Sequence, residues 1–149
     1  MTEGMRSIAG AALGLLAALV CSLPSAPAWS ASQDAIVGTW LTEAADSKVE
    51  ISAAGGTCNG KVVWLKDPER AGKPAGDVNN TDAGLRERPI MGLEILSGFQ
   101  YASGGWSGGT AHSLRRGKSF PAELAATKDG KLGIKVKDGF LFKQLYWTR

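Results

Sequence analysis

The sequence is poor in the residues that build disulfide frameworks, metal centres and nucleophilic active sites. Its 149 residues include two cysteines and one histidine. A zinc site normally draws about four ligands from Cys, His and carboxylates at regular spacings, and no such spacing occurs, so neither a metal nor a cofactor is expected. His112 lies beside Ser113 in a Gly- and Ser-rich stretch. Adjacent side chains of an extended segment point to opposite faces, so we interpret His112 as a surface turn residue and assign no catalytic residue.

Clustered charge is also scarce. The chain has 17 Lys+Arg and 14 Asp+Glu, a formal net charge of +3. The cations are scattered apart from Arg86 with Arg88 and a short group at residues 115–118. A nucleic-acid-binding protein needs a denser basic stripe with aromatic residues interleaved. The sequence therefore predicts no nucleic-acid partner.

The first 28 residues are typical of a bacterial export signal. Arg6 precedes an apolar run at residues 8–20, and Ala26-Pro27-Ala28 fits a small-x-small cleavage site. The run is shorter than the roughly 20 residues that a spanning helix needs, which disfavours a membrane anchor. We predict a cleavable signal peptide over residues 1–28, no transmembrane anchor after cleavage, and a periplasmic or secreted protein of a Gram-negative bacterium.

Cleavage after residue 28 would remove Cys21 and leave Cys58 without an internal partner. A lipoprotein anchored at Cys21 is disfavoured because Val20 occupies a position where a small residue is wanted. Cys58 could be a free thiol, an intermolecular partner or a small buried residue, and we favour the last. Without a disulfide, stability must come from a packed core, which about 120 residues can provide.

The remainder of the chain shows a hydrophobic period of two, which is typical of strands. Residues 29–35 are expected to form a short flexible segment, and residues 36–149 a single domain. Eight antiparallel strands joined by hairpins close most simply into an up-and-down barrel, so we predict an all-β, eight-stranded antiparallel barrel. The predicted strands are residues 36–41, 48–52, 58–65, 90–99, 106–111, 119–126, 131–136 and 140–148.

A long irregular stretch, residues 66–89, interrupts this pattern. It is rich in Pro, Gly, Asn and Asp, which favour turns. Loops of this length in compact domains are commonly functional or disordered. We predict a loop here, with a short helical turn near residues 83–88.

Two short motifs predict how the barrel closes. Gly38-Thr39-Trp40 resembles the glycine-x-tryptophan motif of lipocalin-like barrels, in which a cation from the last strand covers the indole. The chain ends in Trp147-Thr148-Arg149, so Arg149 is predicted to cover Trp40 in a structural lock. Such a cation–π contact stabilises by about 0.5–2 kcal/mol.

Six longer segments of the chain together resemble one known family. They are IVGTWL (36–41), GKVVWLKDP (60–68), RPIMGLEILSGF (88–99), WSGG (106–109), GKSF (117–120) and WTR (147–149). The family that they resemble is the bacterial domain of unknown function 2147, and the resemblance implies an exported, lipocalin-like (calycin-like) protein of a family without an assigned activity. Members often carry two cysteines around the second hairpin, where this chain has Ala54 and Cys58, so no disulfide role is carried over.

The functional hypothesis is a non-catalytic barrel that holds a small apolar or lipid-like ligand. Ligand pockets are mostly apolar with a few placed polar groups, so aromatics at a barrel mouth and polar groups of the long loop are the candidates. Core packing is the alternative role for the aromatics. The alternative function is an envelope interaction or inhibitor module that presents residues 66–89 to a protein partner, and an enzyme ranks third. The candidate ligand-binding residues are Trp64, Asp77, Asn80, Arg86, Arg88, Phe99, Tyr101 and Trp106.

Overall fold

The computed structural model describes residues 33–102 and 104–149. The predicted signal peptide, and most of the predicted flexible segment, lie outside the described residues. No helix within the described part of the chain is long and apolar enough to cross a membrane.

Eight strands form one antiparallel sheet in the order of the sequence, which confirms the predicted all-β architecture. A separate two-stranded hairpin lies within the long loop. The loop also contains a 3-10 helix at Ala83–Leu85, within the stretch predicted to turn helically. The strands are β1 Gly38–Leu41, β2 Ser47–Ala54, β3 Thr57–Leu65, β4 Glu69–Arg70, β5 Lys73–Pro74, β6 Glu94–Ala102, β7 Gly105–Ser113, β8 Lys118–Ala126, β9 Leu132–Asp138 and β10 Leu141–Trp147.

The sheet curls until its two edge strands meet at a single bridge. The Leu41 N–H donates to the Thr148 carbonyl at 2.6 Å, and the Thr148 N–H donates back to Leu41 at 3.1 Å. Because β1 has four residues and β10 has seven, the bridge joins the strands only where β10 ends. The rest of the β10 edge has no strand beside it in the described residues.

β6 begins later than predicted. The sequence pattern placed this strand at residues 90–99, whereas β6 begins at Glu94. The difference arises because Ile90 donates its N–H to Ala75 of the long loop, and Gly92 adopts a φ of 81°. Residues 90–93 therefore complete the loop before the chain enters the sheet.

The period of two places apolar side chains inside the curled sheet. In β2, for example, Val49 and Ile51 are buried while Lys48 and Glu50 are exposed. The interior is filled mainly by large side chains, so it is a packed core. Its fully buried members include Trp40, Trp106, Phe99, Ile36, Ile51, Leu96, Leu124, Leu132, Ile134, Val49 and Val62.

The connections alternate between two ends of the barrel. One end, here called the Arg149 end, contains the start of β1, the end of β10 and the β2–β3, β6–β7 and β8–β9 turns. At the other, the loop end, lie the long loop and the β1–β2, β7–β8 and β9–β10 turns. Each predicted functional residue can be placed relative to these two ends.

Candidate functional site

The long loop is docked on the β7–β8 turn by hydrogen bonds to backbone carbonyls of the turn. The Asn79 side chain donates from Nδ2 to the Leu114 carbonyl at 3.0 Å, and the Thr81 N–H donates to the Gly117 carbonyl at 2.9 Å. Gly117 is buried with a φ of 70°, and a Cβ there would overlap the Asn79 carbonyl. Only glycine therefore permits this close approach of loop and turn.

Asp77 is the centre of the docked loop. Its side chain has no exposed surface, and its Oδ2 accepts three sets of hydrogen bonds. Asn80 Nδ2 donates at 2.8 Å, Arg88 donates from Nε at 3.2 Å and from a terminal nitrogen at 2.9 Å, and His112 Nε2 lies 2.9 Å away. One carboxylate thus links the long loop to β7.

The ionisation of Asp77 reflects opposing influences. Burial raises the pKa of the carboxyl group, whereas the hydrogen bonds from Asn80, Arg88 and His112 and the charge of His112 lower it, and the net result is a pKa below the usual value. Hydrogen bonds to the charged form favour that form. Asp77 is therefore an anion at neutral pH, and its Oδ2 is matched to cationic and polar donors, while its buried Oδ1 has no hydrogen-bond partner among the described residues.

The interpretation of His112 as a surface turn residue is wrong. His112 belongs to β7, its side chain is 8% exposed, and its second nitrogen, Nδ1, lies 3.2 Å from the Ser119 hydroxyl of β8. The relevant hydroxyl is therefore cross-strand Ser119 and not adjacent Ser113. The sequence contained no signal for this, because Asp77 and His112 are brought together only by the way the loop folds back.

Ser119, His112 and Asp77 form a hydrogen-bonded series of the residue types used by serine hydrolases. In those enzymes the histidine presents Nδ1 to the carboxylate and Nε2 to the serine, whereas here Nε2 faces Asp77 and Nδ1 faces Ser119. Here Arg88 and Asn80 bind the same Asp77 oxygen that faces His112. Much of the carboxylate charge is thus already compensated, and the arrangement is suited to fastening the loop.

A cavity of about 120 Å³, partly open to solvent, is lined by the inner faces of β6 to β10. His112 and Ser113 are the polar residues of its lining. His112 therefore contacts both the cavity and the cluster that holds the long loop. The apolar lining comes from β6 to β10: Ile95, Leu96, Ala111, Phe120, Ile134, Val136, Leu145 and Trp147.

The predicted aromatic residues do not form one rim. Trp64 is 40% exposed, with the Lys48 ammonium 5.6 Å from its ring centre. Phe99 and Trp106 are buried in the core, and Tyr101 meets Trp106 edge-on at a centroid distance of 5.2 Å. Phe99 and Trp106 therefore pack in the core, which is the alternative role considered for the aromatic residues.

Two of the aromatic candidates lie far from the polar ones. Trp106 and His112 are six positions apart along β7, which corresponds to roughly 20 Å at the usual rise of a strand, and Tyr101 contacts Trp106. Asp77, Asn80 and Arg88 gather at the His112 end, and Arg86 joins them by donating from Nε to the Asn80 carbonyl at 2.8 Å. The structure therefore brings the polar candidates together and separates them from Tyr101 and Trp106, whereas Trp64 lies near the end of β3 at the loop end.

The predicted lock residues meet at the Arg149 end. The Arg149 guanidinium carbon lies 4.2 Å from the Trp40 ring centre, and its Nη2 donates to the carbonyls of Ala35 and Val37 at 3.0 and 3.1 Å. Trp40 donates from Nε1 to the Ile36 carbonyl at 2.8 Å. A Cβ at Gly38 would lie 2.8 Å from an Arg149 nitrogen, so glycine leaves room for the guanidinium.

Comparison with known proteins points to a family and to a fold. A family model described as "Uncharacterized protein conserved in bacteria (DUF2147)" matches residues 38–149. A solved structure described as "Protein HP1028 from the human pathogen Helicobacter pylori belongs to the lipocalin family" is similar, with a TM-score of 0.62 and 24% identity over 76% of this chain and 81% of that chain. At this identity the likeness shows the fold alone. No curated protein matches the chain.

Proposed function

The chain belongs to the DUF2147 family, and we propose that it is an exported, non-catalytic binding protein that holds a small apolar or lipid-like ligand inside its barrel. The cavity of about 120 Å³ is the observation that carries this proposal. Eight-stranded barrels commonly enclose either packed side chains or one small ligand. Here most of the interior is packed, and the space that remains is apolar.

The cavity volume limits the size of the ligand. Pockets for drug-sized molecules measure about 300–1,000 Å³, whereas an apolar cavity of about 150 Å³ accommodates benzene. The 120 Å³ cavity therefore suits a single ring or a short alkyl chain. Phe120 and Leu145, which line it, offer dispersion contacts, and His112 and Ser113 offer the polar ones.

The long loop would control access to this cavity. Asp77 holds His112, and His112 lines the cavity. Release of the loop from the β7–β8 turn would uncover this side of the barrel. We therefore assign Asp77, Asn80 and Arg88 to fastening the loop and not to direct contact with the ligand.

Filling the cavity tests the proposal. Ala111 lines the cavity, so Ala111→Leu should abolish chemical-shift changes caused by titrated benzene or 1-butanol while the fold is preserved. Ala126→Leu, an exposed position at the end of β8, is the matched control and should bind as the wild type does. Native mass spectrometry of gently purified protein should show a bound apolar compound that Ala111→Leu lacks. Absence of binding in the wild type would reject the proposal.

A second candidate function rests on the outer face of the long loop. A groove of about 550 Å³ lies there, lined by residues that include Arg70, Lys73 and Arg86, and Val78 and Leu85 are exposed nearby. This surface could be presented to an envelope protein. If so, Val78→Ser/Leu85→Ser should abolish a pull-down partner and leave benzene binding unchanged, whereas an unaltered partner list would reject this function.

A further inference from the structure

The tip of the β9–β10 hairpin exposes three consecutive large apolar side chains. Phe140 is fully exposed, Leu141 is 74% exposed and Phe142 is 60% exposed. Such contiguous exposure is unusual on a soluble protein and marks an interaction site. The hairpin tip, defined here as residues 137–143, lies at the loop end of the barrel.

The apolar side chains of the hairpin tip do not share one face. Successive side chains of a strand point to opposite sides, so Leu141 points away from the side on which Phe142 lies. A protein surface that docked against one side would leave the other side in water. A medium that surrounds the tip covers all three side chains, and the interfacial region of a lipid bilayer is such a medium.

Cations surround the hairpin tip. Lys135, Lys137 and Lys143 are exposed on the hairpin itself, and the Lys135 ammonium lies 4.5 Å from the Phe142 ring centre. An ion pair between Arg116 and Asp138 ties the hairpin to the β7–β8 turn, which adds exposed Arg115, Arg116 and Lys118.

Fewer acidic groups lie near the hairpin tip. Asp138 is paired with Arg116, Glu123 lies opposite Lys135 in the β8–β9 register, and Glu43 accepts a hydrogen bond from the Tyr146 N–H of β10. The side of the barrel around the tip thus carries more positive than negative charge. Each Lys or Arg close to an anionic membrane strengthens binding by about fivefold, and this contribution falls with salt.

We propose that the hairpin tip docks on anionic phospholipid, with Phe140, Leu141 and Phe142 entering the interface and the surrounding Lys and Arg residues contacting the headgroups. The proposal does not depend on the cavity ligand. It would place the loop end of the barrel against the membrane, and so set the direction from which an apolar molecule could reach the long loop.

Vesicle co-sedimentation tests the proposal on the purified protein. Binding is expected to vesicles of phosphatidylcholine mixed with phosphatidylglycerol, and to fall sharply in high salt or on pure phosphatidylcholine. Phe140→Ser/Phe142→Ser should weaken it by at least about tenfold, since two aromatic side chains no longer leave water. Val37→Ser removes an exposed apolar side chain at the Arg149 end, away from the tip, and should bind unchanged.

Two further measurements separate the outcomes. Lys137→Glu/Lys143→Glu should weaken binding to the anionic vesicles by more than about tenfold and leave the fold intact by circular dichroism. In Phe142→Trp, the new tryptophan should be quenched by brominated lipid. Failure of the wild-type protein to bind anionic vesicles would overturn the proposal. A wild-type dimer that Phe140→Ser/Phe142→Ser dissociates would overturn it in favour of docking against a second copy of the chain.

Discussion

The two ends of the barrel are fastened by different kinds of interaction. At the Arg149 end, a buried indole packs in the core and is covered by the terminal guanidinium. At the loop end, the buried carboxylate of Asp77 is bonded to residues up to 35 positions away. Apolar packing is insensitive to protonation, whereas a buried carboxylate stabilises only while it is charged and paired. The comparison therefore predicts that the loop end opens first, and that it does so in a pH-dependent way.

The largest expected effect is at the Arg149 end. Trp40→Ala should lower the free energy of unfolding by about 3–5 kcal/mol, because it leaves a cavity in the core and removes the platform for Arg149. Trp64→Ala is the matched control, since Trp64 is partly exposed, and should cost well under half as much. Urea denaturation measures both. Equal effects of the two variants would contradict the packing role of Trp40.

At the loop end, Asp77→Asn should lower stability by about 1.5–3 kcal/mol, because hydrogen bonds to a charged group are lost. Asp67→Asn, at an exposed position of the same loop, should change little. Limited proteolysis should cut within residues 66–89 faster in Asp77→Asn than in either the wild type or Asp67→Asn.

The pH dependence has a definite sign. The pKa of Asp77 is lowered in the folded protein, so its stabilisation is complete above the ordinary carboxyl pKa of about 4 and is lost as the pH falls through the folded value. The stability difference between wild type and Asp77→Asn should thus shrink as the pH falls below about 4. A difference that grew in acid would contradict the assignment of Asp77 as a paired anion.

The close approach of loop and turn can be tested with two glycines. Gly117 and Gly130 both have positive φ, but a Cβ at Gly117 would overlap Asn79 while a Cβ at Gly130 would meet open space. Gly130→Ala therefore measures backbone strain alone. Gly117→Ala should cost about 1–3 kcal/mol more, from overpacking. Comparable melting temperatures for the two variants would show that the loop can be displaced without cost.

These contrasts also show what the sequence could predict. The alternation of residues 131–136 and the Gly38–Trp40 motif are local patterns, and they correctly predicted strands and the meander order. The contact of Asp77 with His112 depends on how a long loop returns to β7, and no local period encodes such a contact. The relative placement of the aromatic residues is not encoded locally either, because alternation shows that a strand has two faces but not which aromatic residues share a rim.

A smaller effect is expected from the cation that covers Trp40. Arg149→Ala should lower stability by about 0.5–2 kcal/mol through the lost cation–π contact. Arg149→Lys should recover only part of this, because a lysine cannot keep the planar stack and both bonds to the carbonyls of Ala35 and Val37. If the alanine and lysine variants matched the wild type in urea denaturation, the lock would be dispensable.

The smallest effect concerns Cys58, which lies in β3 near the Arg149 end. It is free and fully buried, and burial raises the pKa of its thiol to about 12. Since the thiolate is the reactive form, Cys58 should not react with Ellman's reagent in native protein and should become reactive in urea. The same protection should persist in Gly117→Ala, because opening the loop end leaves the Arg149 end packed. If Gly117→Ala instead exposed Cys58 while residues 66–89 became cleavable, the two ends would open as one unit.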